Sequence, residues 1–273
     1  MNSKASLRFP SGLCVLGNGP LCEGGVCPPG IARAVFNRID NSADICIYNG
    51  RFLSRIDPFI ARSTDNDLCS TLGGALKREH DGLRSALGAR ASSGLTFVSL
   101  ACRLTPRLWV YRMPLAPSLA RPVGLGNRKP LACAYHNWLG ERRLAFEILH
   151  TASHDCRIHW SSLCIPDPEP SSIRRGDPWE TLQAAASNRS TELWEQASRH
   201  DAFHWADHLD KSRLQQVEPL FHLLTDESDT SNWWLYDQAA SVAVERLVKK
   251  LMWCQQQCYL NLFSAMGDGP AAG

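Results

Sequence analysis

Several local signals that would assign a function directly are missing from this chain. It has no Gly-x-Gly-x-x-Gly turn, no Walker phosphate loop and no His-Glu-x-x-His motif. The short signatures of dinucleotide sites, P-loop proteins and zincins are therefore not found. No nucleophile elbow of a serine hydrolase is present either. A function has to be argued from larger patterns.

The chain also lacks a charge excess and a long apolar run. Its 29 Lys and Arg face 27 Asp and Glu, a net charge of +2, which gives no argument for a nucleic acid or a membrane surface as partner. No run approaches the roughly 18 apolar residues of a membrane span. With 273 residues, 44% hydrophobic and 21% charged, the composition is that of one large globular domain or two small ones.

The start of the chain shows no convincing signal peptide. The apolar run at 13–16 is too short for an h-region, and Glu23 is the one acidic residue before position 34. Residues 1–33 are therefore expected to form an irregular segment, a loose tail being favoured over a transit peptide.

The eleven cysteines do not form a recognisable framework. Their number is odd, and they are spread from Cys14 to Cys258 without the matched pairs of a zinc ribbon. On a helix, Cys254 and Cys258 would share one face as small buried apolar residues. One or two disulfides stay open if the protein is exported.

Two apolar runs in the middle of the chain predict a pair of strands. Residues 93–101 and 107–113 are rich in β-branched and aromatic side chains. Pro106 lies between them and fixes the first corner of a turn. Further strands are expected near 138–149 and 158–160, whereas the spacing of leucines over 64–90 predicts a helix.

The character of the chain changes near position 177. Residues 166–176 form a Pro-rich linker, and Asp177-Pro178 combines an N-cap with a proline at the first helical position. Helices are expected over 177–199, over 201–224 with a break near Pro219, and over 231–266. The expected fold class is α+β, with a mixed domain at 34–165 and a helical region at 177–273.

The polar residues of the first half follow a definite order along the chain. Each short piece is weak alone, and the order and spacing of all of them carry the information. The pieces are Phe36-Asn37-Arg38-Ile39-Asp40, Asp44-Ile45, Asn49-Gly50-Arg51-Phe52, Thr64-Asp65-Asn66-Asp67-Leu68, Gly94-Leu95-Thr96-Phe97-Val98-Ser99, Val110-Tyr111 and Glu141-Arg142-Arg143.

This order resembles the cholera- and pertussis-toxin type of mono-ADP-ribosyltransferase, including the fungal heat-labile-enterotoxin-like chains. The resemblance covers roughly residues 34–160. It implies a small split β-core and NAD as the cofactor. It also implies an unidentified protein as the acceptor, and a protein that is secreted or directed into a host cell.

The resemblance also implies roles for three residues. Breaking the bond between nicotinamide and ribose passes through an oxocarbenium-like transition state, which a carboxylate stabilises. Glu141 would supply that carboxylate, with Glu147 as another option. Arg38 would grip NAD by its guanidinium fork, and Ser99 would position the carboxylate and line the NAD cleft.

Departures from the family pattern keep alternatives open. Glu141-Arg142-Arg143 replaces the family's Glu-x-Glu, and Ser99-Leu100-Ala101 replaces its Ser-Thr-Ser. The resemblance therefore implies an enterotoxin-like ADP-ribosyltransferase or NAD glycohydrolase with degenerate motifs, and a non-catalytic binding or effector module of the same fold is the first alternative. An unrelated helical interaction protein is the remaining alternative.

A second cluster lies outside that pattern. On one helix, His200, His204 and His208 would lie one turn apart along a single stripe. A solvated or aromatic-packed histidine face is favoured over a divalent-metal site, so no metal is predicted.

Overall fold

The chain divides into two compact units. A computed structural model describes residues 8–19, 26–38, 40–49, 59–62, 66–126, 129, 131–152, 155–169, 175–223 and 232–265. The sheet unit comprises Met1–Pro114 and Glu147–Cys164, and the helical unit comprises Leu115–Phe146 and Ile165–Gly273. The protein is mixed α/β, with helices in its C-terminal part as the sequence predicts.

The described residues of the sheet unit form six strands and two helices, together with the C-terminal end of a third helix. The strands are β1 (Leu13–Leu16), β2 (Ala32–Phe36), β3 (Ile45–Asn49), β4 (Phe59–Arg62), β5 (Arg107–Tyr111) and β6 (Arg157–His159). The helices are α1 (Asn66–Leu87), α2 (Ser93–Ala101) and α3 (Trp138–Ala152).

The strands form one sheet in the order β4-β3-β2-β1-β5-β6. Every neighbouring pair is parallel except β3 and β4, which are antiparallel. Leu13 of β1 lies opposite Ala32 on one side and Leu108 on the other. The order therefore runs outward from β1 in both directions, as in doubly wound α/β folds, where the strand order reverses beside the first strand.

The central strands are buried on both faces, which is typical of parallel sheets. Leu13, Cys14 and Val15 of β1 have no accessible surface. On one face α2 packs against β1 and β3, and the Phe36 and Phe97 rings meet edge to face at 6.0 Å. The other face carries an apolar cluster made of Val35, Cys46 and Tyr48, with Leu16 and Ala43 at its margin.

Two predicted strands are helices in the structure. Residues 93–101 form α2, whose first turn is capped by Ser92, because the Ser92 hydroxyl accepts a hydrogen bond from the Leu95 amide. Residues 138–149 lie in α3, where the Asn137 side chain accepts from the Gly140 amide. Both strand predictions are wrong because these caps, and burial of most of α2, outweigh β propensity.

The expected irregular N-terminal segment is also partly wrong. Residues 13–16 form β1, the strand from which the sheet extends in both directions. By contrast, the strand at 107–113 is confirmed as β5, the one at 158–160 as β6, and the helix at 64–90 as α1. Residues 1–7 and 20–25 lie outside the described residues.

The helical region follows the predicted pattern with shorter segments. Asp177 caps the first helix by accepting from the Trp179 amide, with Pro178 at its first position. Residues 188–190 divide the predicted first helix into two, and Pro219 lies in a 3₁₀ turn after α7. The helices are α4 (Pro178–Ser187), α5 (Thr191–Arg199), α6 (Ala202–His208), α7 (Lys211–Val217) and α8 (Gln238–Ala265).

Buried tryptophans and the buried Arg121 organise the helical unit. Trp194, Trp205 and Trp234 have almost no accessible surface, and α5 and α6 pack against α8. The Arg121 guanidinium donates to the carbonyls of Lys129 and Leu235, both at 2.8 Å, and to those of Leu125 and Gly126. The buried guanidinium thereby finds its acceptors, and it joins Leu125, Gly126 and Lys129 to Leu235.

The described cysteines and helices bear on the expectations about disulfides and about a membrane span. None of the ten described cysteines is in a disulfide, and Cys254 lies buried on α8 with Cys258 one turn further on. Cys22 lies outside the described residues. Across the described residues, no helix combines the length with the apolar character that crossing a bilayer requires.

Gly17, which follows β1, offers a sensitive test of this packing. A β-carbon there would collide with the Arg112 carbonyl, so we expect Gly17→Ala to lower the free energy of unfolding by about 1–3 kcal/mol. Gly82→Ala is the matched control, since Gly82 lies in α1 with open space around it, and it should stabilise by about 0.5–1 kcal/mol. Urea unfolding measures both, and equal effects of the two variants would contradict the packing.

Candidate functional site

The carboxyl ends of the parallel strands are where a ligand site is expected. In open α/β sheets, ligands bind outside these ends, beside the point where the strand order reverses. The residues that follow the strand ends here are Gly17-Asn18-Gly19 after β1, Asn37-Arg38 after β2, and Arg112 after β5.

The gap between β1 and β5 is closed by the backbone itself. The Gly17 amide donates to the Tyr111 carbonyl and the Gly19 amide to the Arg112 carbonyl, both at 2.9 Å. The Arg112 side chain returns a bond from Nε to the Gly19 carbonyl, also at 2.9 Å. The two glycines are therefore needed for the close approach of Arg112, and a ligand cannot reach between these strands.

Among the described residues, the β2 side of this edge carries Asn18, Asn37 and Arg38. Asn18 donates from its side-chain amide to the Phe36 carbonyl at 3.1 Å, which ties the turn after β1 to the end of β2. Asn37 has φ of +49°, in the left-handed region that asparagine tolerates. The turn at Asn37 leads the chain away from the sheet immediately after β2.

Arg38, predicted to bind NAD, lies two residues beyond the end of β2. Its guanidinium is 3.8 Å from the Asp40 carboxylate, and its side chain is 30% exposed. Its Nε is buried and has no hydrogen-bond partner among the described residues. Because a buried donor without an acceptor is costly, this nitrogen is suited to an oxygen or nitrogen of a ligand.

Asp40 provides a fixed negative charge beside Arg38. Its carboxylate accepts from the Ser42 amide at 3.0 Å and from the Ser42 hydroxyl at 2.5 Å. These bonds, helped by the charges of Arg33 and Arg38, lower the pKa of Asp40 below its usual value. The carboxylate is therefore ionised at neutral pH and can accept hydrogen bonds from hydroxyl groups.

Ser99, the second predicted site residue, lies on α2 with its hydroxyl already in use. It donates to the Glu79 carboxylate, which also receives the Arg103 guanidinium. Ser99 is 9% exposed. In this arrangement the hydroxyl ties α2 to α1.

Glu141, the predicted catalytic carboxylate, belongs to the helical unit. It lies in the first turn of α3, has no accessible surface, and is 3.4 Å from the His136 ring. The neighbouring Arg143 binds Glu218 at 2.7 Å. The structure thus places Arg38 and Ser99 in one unit and Glu141 in the other, and their catalytic roles stay predictions.

The three stripe histidines do not share one helix. α5 ends at Arg199, His200 occupies its C-cap, and Asp201 caps α6, which carries His204 and His208. Their rings contact in sequence, with centroids 5.8 Å and 4.6 Å apart. Within the described ranges, no group of three His, Cys, Asp or Glu residues is placed to hold a metal ion.

Sequence reasoning missed the edge residues Asn18 and Asn37. The signal was present, because the apolar run at 13–16 is followed directly by Gly17-Asn18-Gly19, as a buried strand followed by a tight turn would be. Because the apolar run is only four residues long, it was not recognised as a strand. A buried parallel strand can be that short because both of its neighbours complete its hydrogen bonds.

Comparisons with known proteins identify no relative. No family model, no curated protein and no solved structure matches the chain.

Replacing Ser99 separates its structural role from its predicted one. Ser99→Ala removes a hydrogen bond to a charged group, so we expect the free energy of unfolding to fall by about 1–2 kcal/mol. Ser85→Ala is the control, because Ser85 is exposed on α1 and should change stability by less than about 0.5 kcal/mol. Chemical denaturation measures both; an unchanged Ser99→Ala protein would contradict the bond to Glu79.

Proposed function

We propose that the sheet unit binds a small molecule containing an adenosine group, NAD being the first to test, at the carboxyl edge of β1 and β2. The observation that carries this proposal is the strand order, which reverses beside β1 in a sheet whose other strands, apart from β4, run parallel. In open α/β sheets with this arrangement, nucleotides bind outside the carboxyl ends of the strands.

The residues after β2 support a nucleoside in particular. In dinucleotide-binding folds, the chain near the end of the second strand holds the ribose through a carboxylate, or a ribose phosphate through an arginine. Here Arg38 and Asp40 follow Phe36 by two and four residues. An ionised carboxylate accepts from ribose hydroxyls, and a guanidinium donates to phosphate or ring nitrogens.

The turn after β1 limits where a diphosphate could lie. The described parts of the β1–β2 connection contain no helix whose N-terminus could receive phosphates. Gly17 and Gly19 approach Arg112 instead. The ligand is therefore held mainly from the β2 side, through its nucleoside end.

Transfer of ADP-ribose and hydrolysis of NAD stay predictions that depend on Glu141 and Ser99. So does the ADP-ribosyltransferase-type core, because α2 occupies the position of an expected strand. The alternative of a non-catalytic binding module agrees better than a transferase with the contacts of Ser99 and Glu141. Ser99 donates to Glu79, and Glu141 lies in the other unit, 3.4 Å from the His136 ring.

Ligand titration with matched arginine variants tests the proposal. Adenosine, NAD, ATP and S-adenosylmethionine would be titrated by calorimetry and by thermal shift, since a ligand of the folded state raises its stability. Arg38→Ala should weaken binding at least tenfold, because a charge-assisted bond contributes about 1.5–3 kcal/mol. Arg157→Ala is the control, because Arg157 is exposed at the opposite, amino end of β6.

The outcomes distinguish the proposed binding site from the predicted reaction on NAD. Failure of all four ligands to bind at millimolar concentration, or binding that Arg38→Ala leaves unchanged, would overturn the proposed site. Nicotinamide release from NAD by the wild type, lost in Glu141→Gln or in Glu147→Gln, would instead support the transferase or glycohydrolase prediction.

A further inference from the structure

A cavity of about 410 Å³ lies in the helical unit, apart from the proposed nucleotide site. Its volume is within the range of about 300–1,000 Å³ typical of small-molecule sites. Three of its lining residues, Glu192, Gln196 and Arg199, come from α5 at positions i, i+4 and i+7, which is one helix face. Arg175 and His200 complete the lining.

His200 is the buried polar group of this cavity. It is 2% exposed, and neither Nδ1 nor Nε2 has a hydrogen-bond partner among the described residues. Burial lowers the pKa of His200, and the neighbouring His204 and Lys250 act in the same direction. The neutral ring therefore offers one N–H donor and one nitrogen acceptor, both unused.

The position of His200 is fixed by its backbone. The Lys250 ammonium of α8 donates to the His200 carbonyl at 2.5 Å and to the Ser198 carbonyl at 2.6 Å. The ring packs against Trp205, with centroids 6.0 Å apart. The imidazole is thus held at the cavity wall by contacts that involve neither ring nitrogen.

The charged lining residues favour an anion by two to one, Arg175 and Arg199 against Glu192. Arg175 and Arg199 supply two positive charges, and guanidinium groups bind phosphate oxygens in pairs. The pair between Arg199 and Glu195 at 3.0 Å is exposed, and exposed pairs of this kind are weak.

The remaining groups favour hydroxyls beside that anion. The Glu192 carboxylate, ionised because hydrogen bonding from Ser190 lowers its pKa, accepts from hydroxyl groups, and the Gln196 amide both donates and accepts. We propose that this cavity binds the phosphate monoester of a polyhydroxylated small molecule, with Arg175 and Arg199 on the phosphate and His200, Glu192 and Gln196 on its oxygens and hydroxyls.

Calorimetric titration of the full chain with glucose 6-phosphate tests the assignment. Arg175→Ala and Arg199→Ala should each weaken binding at least tenfold, whereas Arg246→Ala, an exposed arginine of α8 outside the lining, should leave it unchanged. Glucose and inorganic phosphate should each bind at least tenfold more weakly than the sugar phosphate.

His200→Phe provides an independent readout. The phenyl ring removes two unpartnered polar atoms, so the melting temperature of the unliganded protein should stay the same or rise, while affinity for glucose 6-phosphate falls at least tenfold. No binding to wild type, equal binding of inorganic phosphate, or binding unaffected by the arginine variants would overturn the proposal. Because none of these probes contains adenosine, failure here leaves the proposed nucleotide site standing.

Discussion

The hydrogen bonding of β1 on both of its edges is the constraint on which the sheet unit depends. Four residues, Leu13–Leu16, pair with β2 on one side and β5 on the other. Burial of a Leu or Val side chain contributes about 1.5–3 kcal/mol, and Leu13 and Val15 are completely buried. A strand this short survives because neither edge faces water, and the order of all other strands is set by where β1 lies.

The same constraint explains the carboxyl edge. Because β1 continues to pair with β5 through Gly17 and Gly19, the chain fills the gap where dinucleotide folds receive a diphosphate. The β2 side carries Arg38, which has a buried donor without a partner among the described residues. The proposed ligand contact is therefore placed on the β2 side of the edge.

The helical unit is held by other means. Buried tryptophans supply the packing area, and two cations supply hydrogen bonds to the backbone. These are the buried Arg121 in the loop before α3 and the half-buried Lys250 at the corner between α5 and α6. The Lys250 bonds fix the corner where α5 ends, and the cavity beside His200 lies there.

Much of this fold could be predicted from residues whose local signal agrees with the final packing. Asp177-Pro178 marks a helix start, and the leucine spacing at 64–90 marks α1. α2 could not be predicted in this way, because Leu95–Ala101 is buried throughout and a helix buried on all sides shows no amphipathic period. Its β-branched and aromatic residues then favour a strand by propensity alone.

The candidate site was harder to predict than the fold. Arg38 was singled out by a resemblance and lies near a strand end, whereas Asn18 and Asn37 depend on which strands become neighbours. β1 and β5 are separated by some 90 residues of chain, and their pairing is set by burial of the whole sheet. No local sequence pattern around Gly17 indicates the pairing of β1 with β5.

Amide hydrogen exchange at Leu13–Leu16 tests the central position of β1. We expect these amides to exchange only when the sheet unit unfolds as a whole, as slowly as those of β5. Exchange at the rate of an exposed loop, with β5 still protected, would contradict the central position of β1 and with it the strand order on which the proposed site depends.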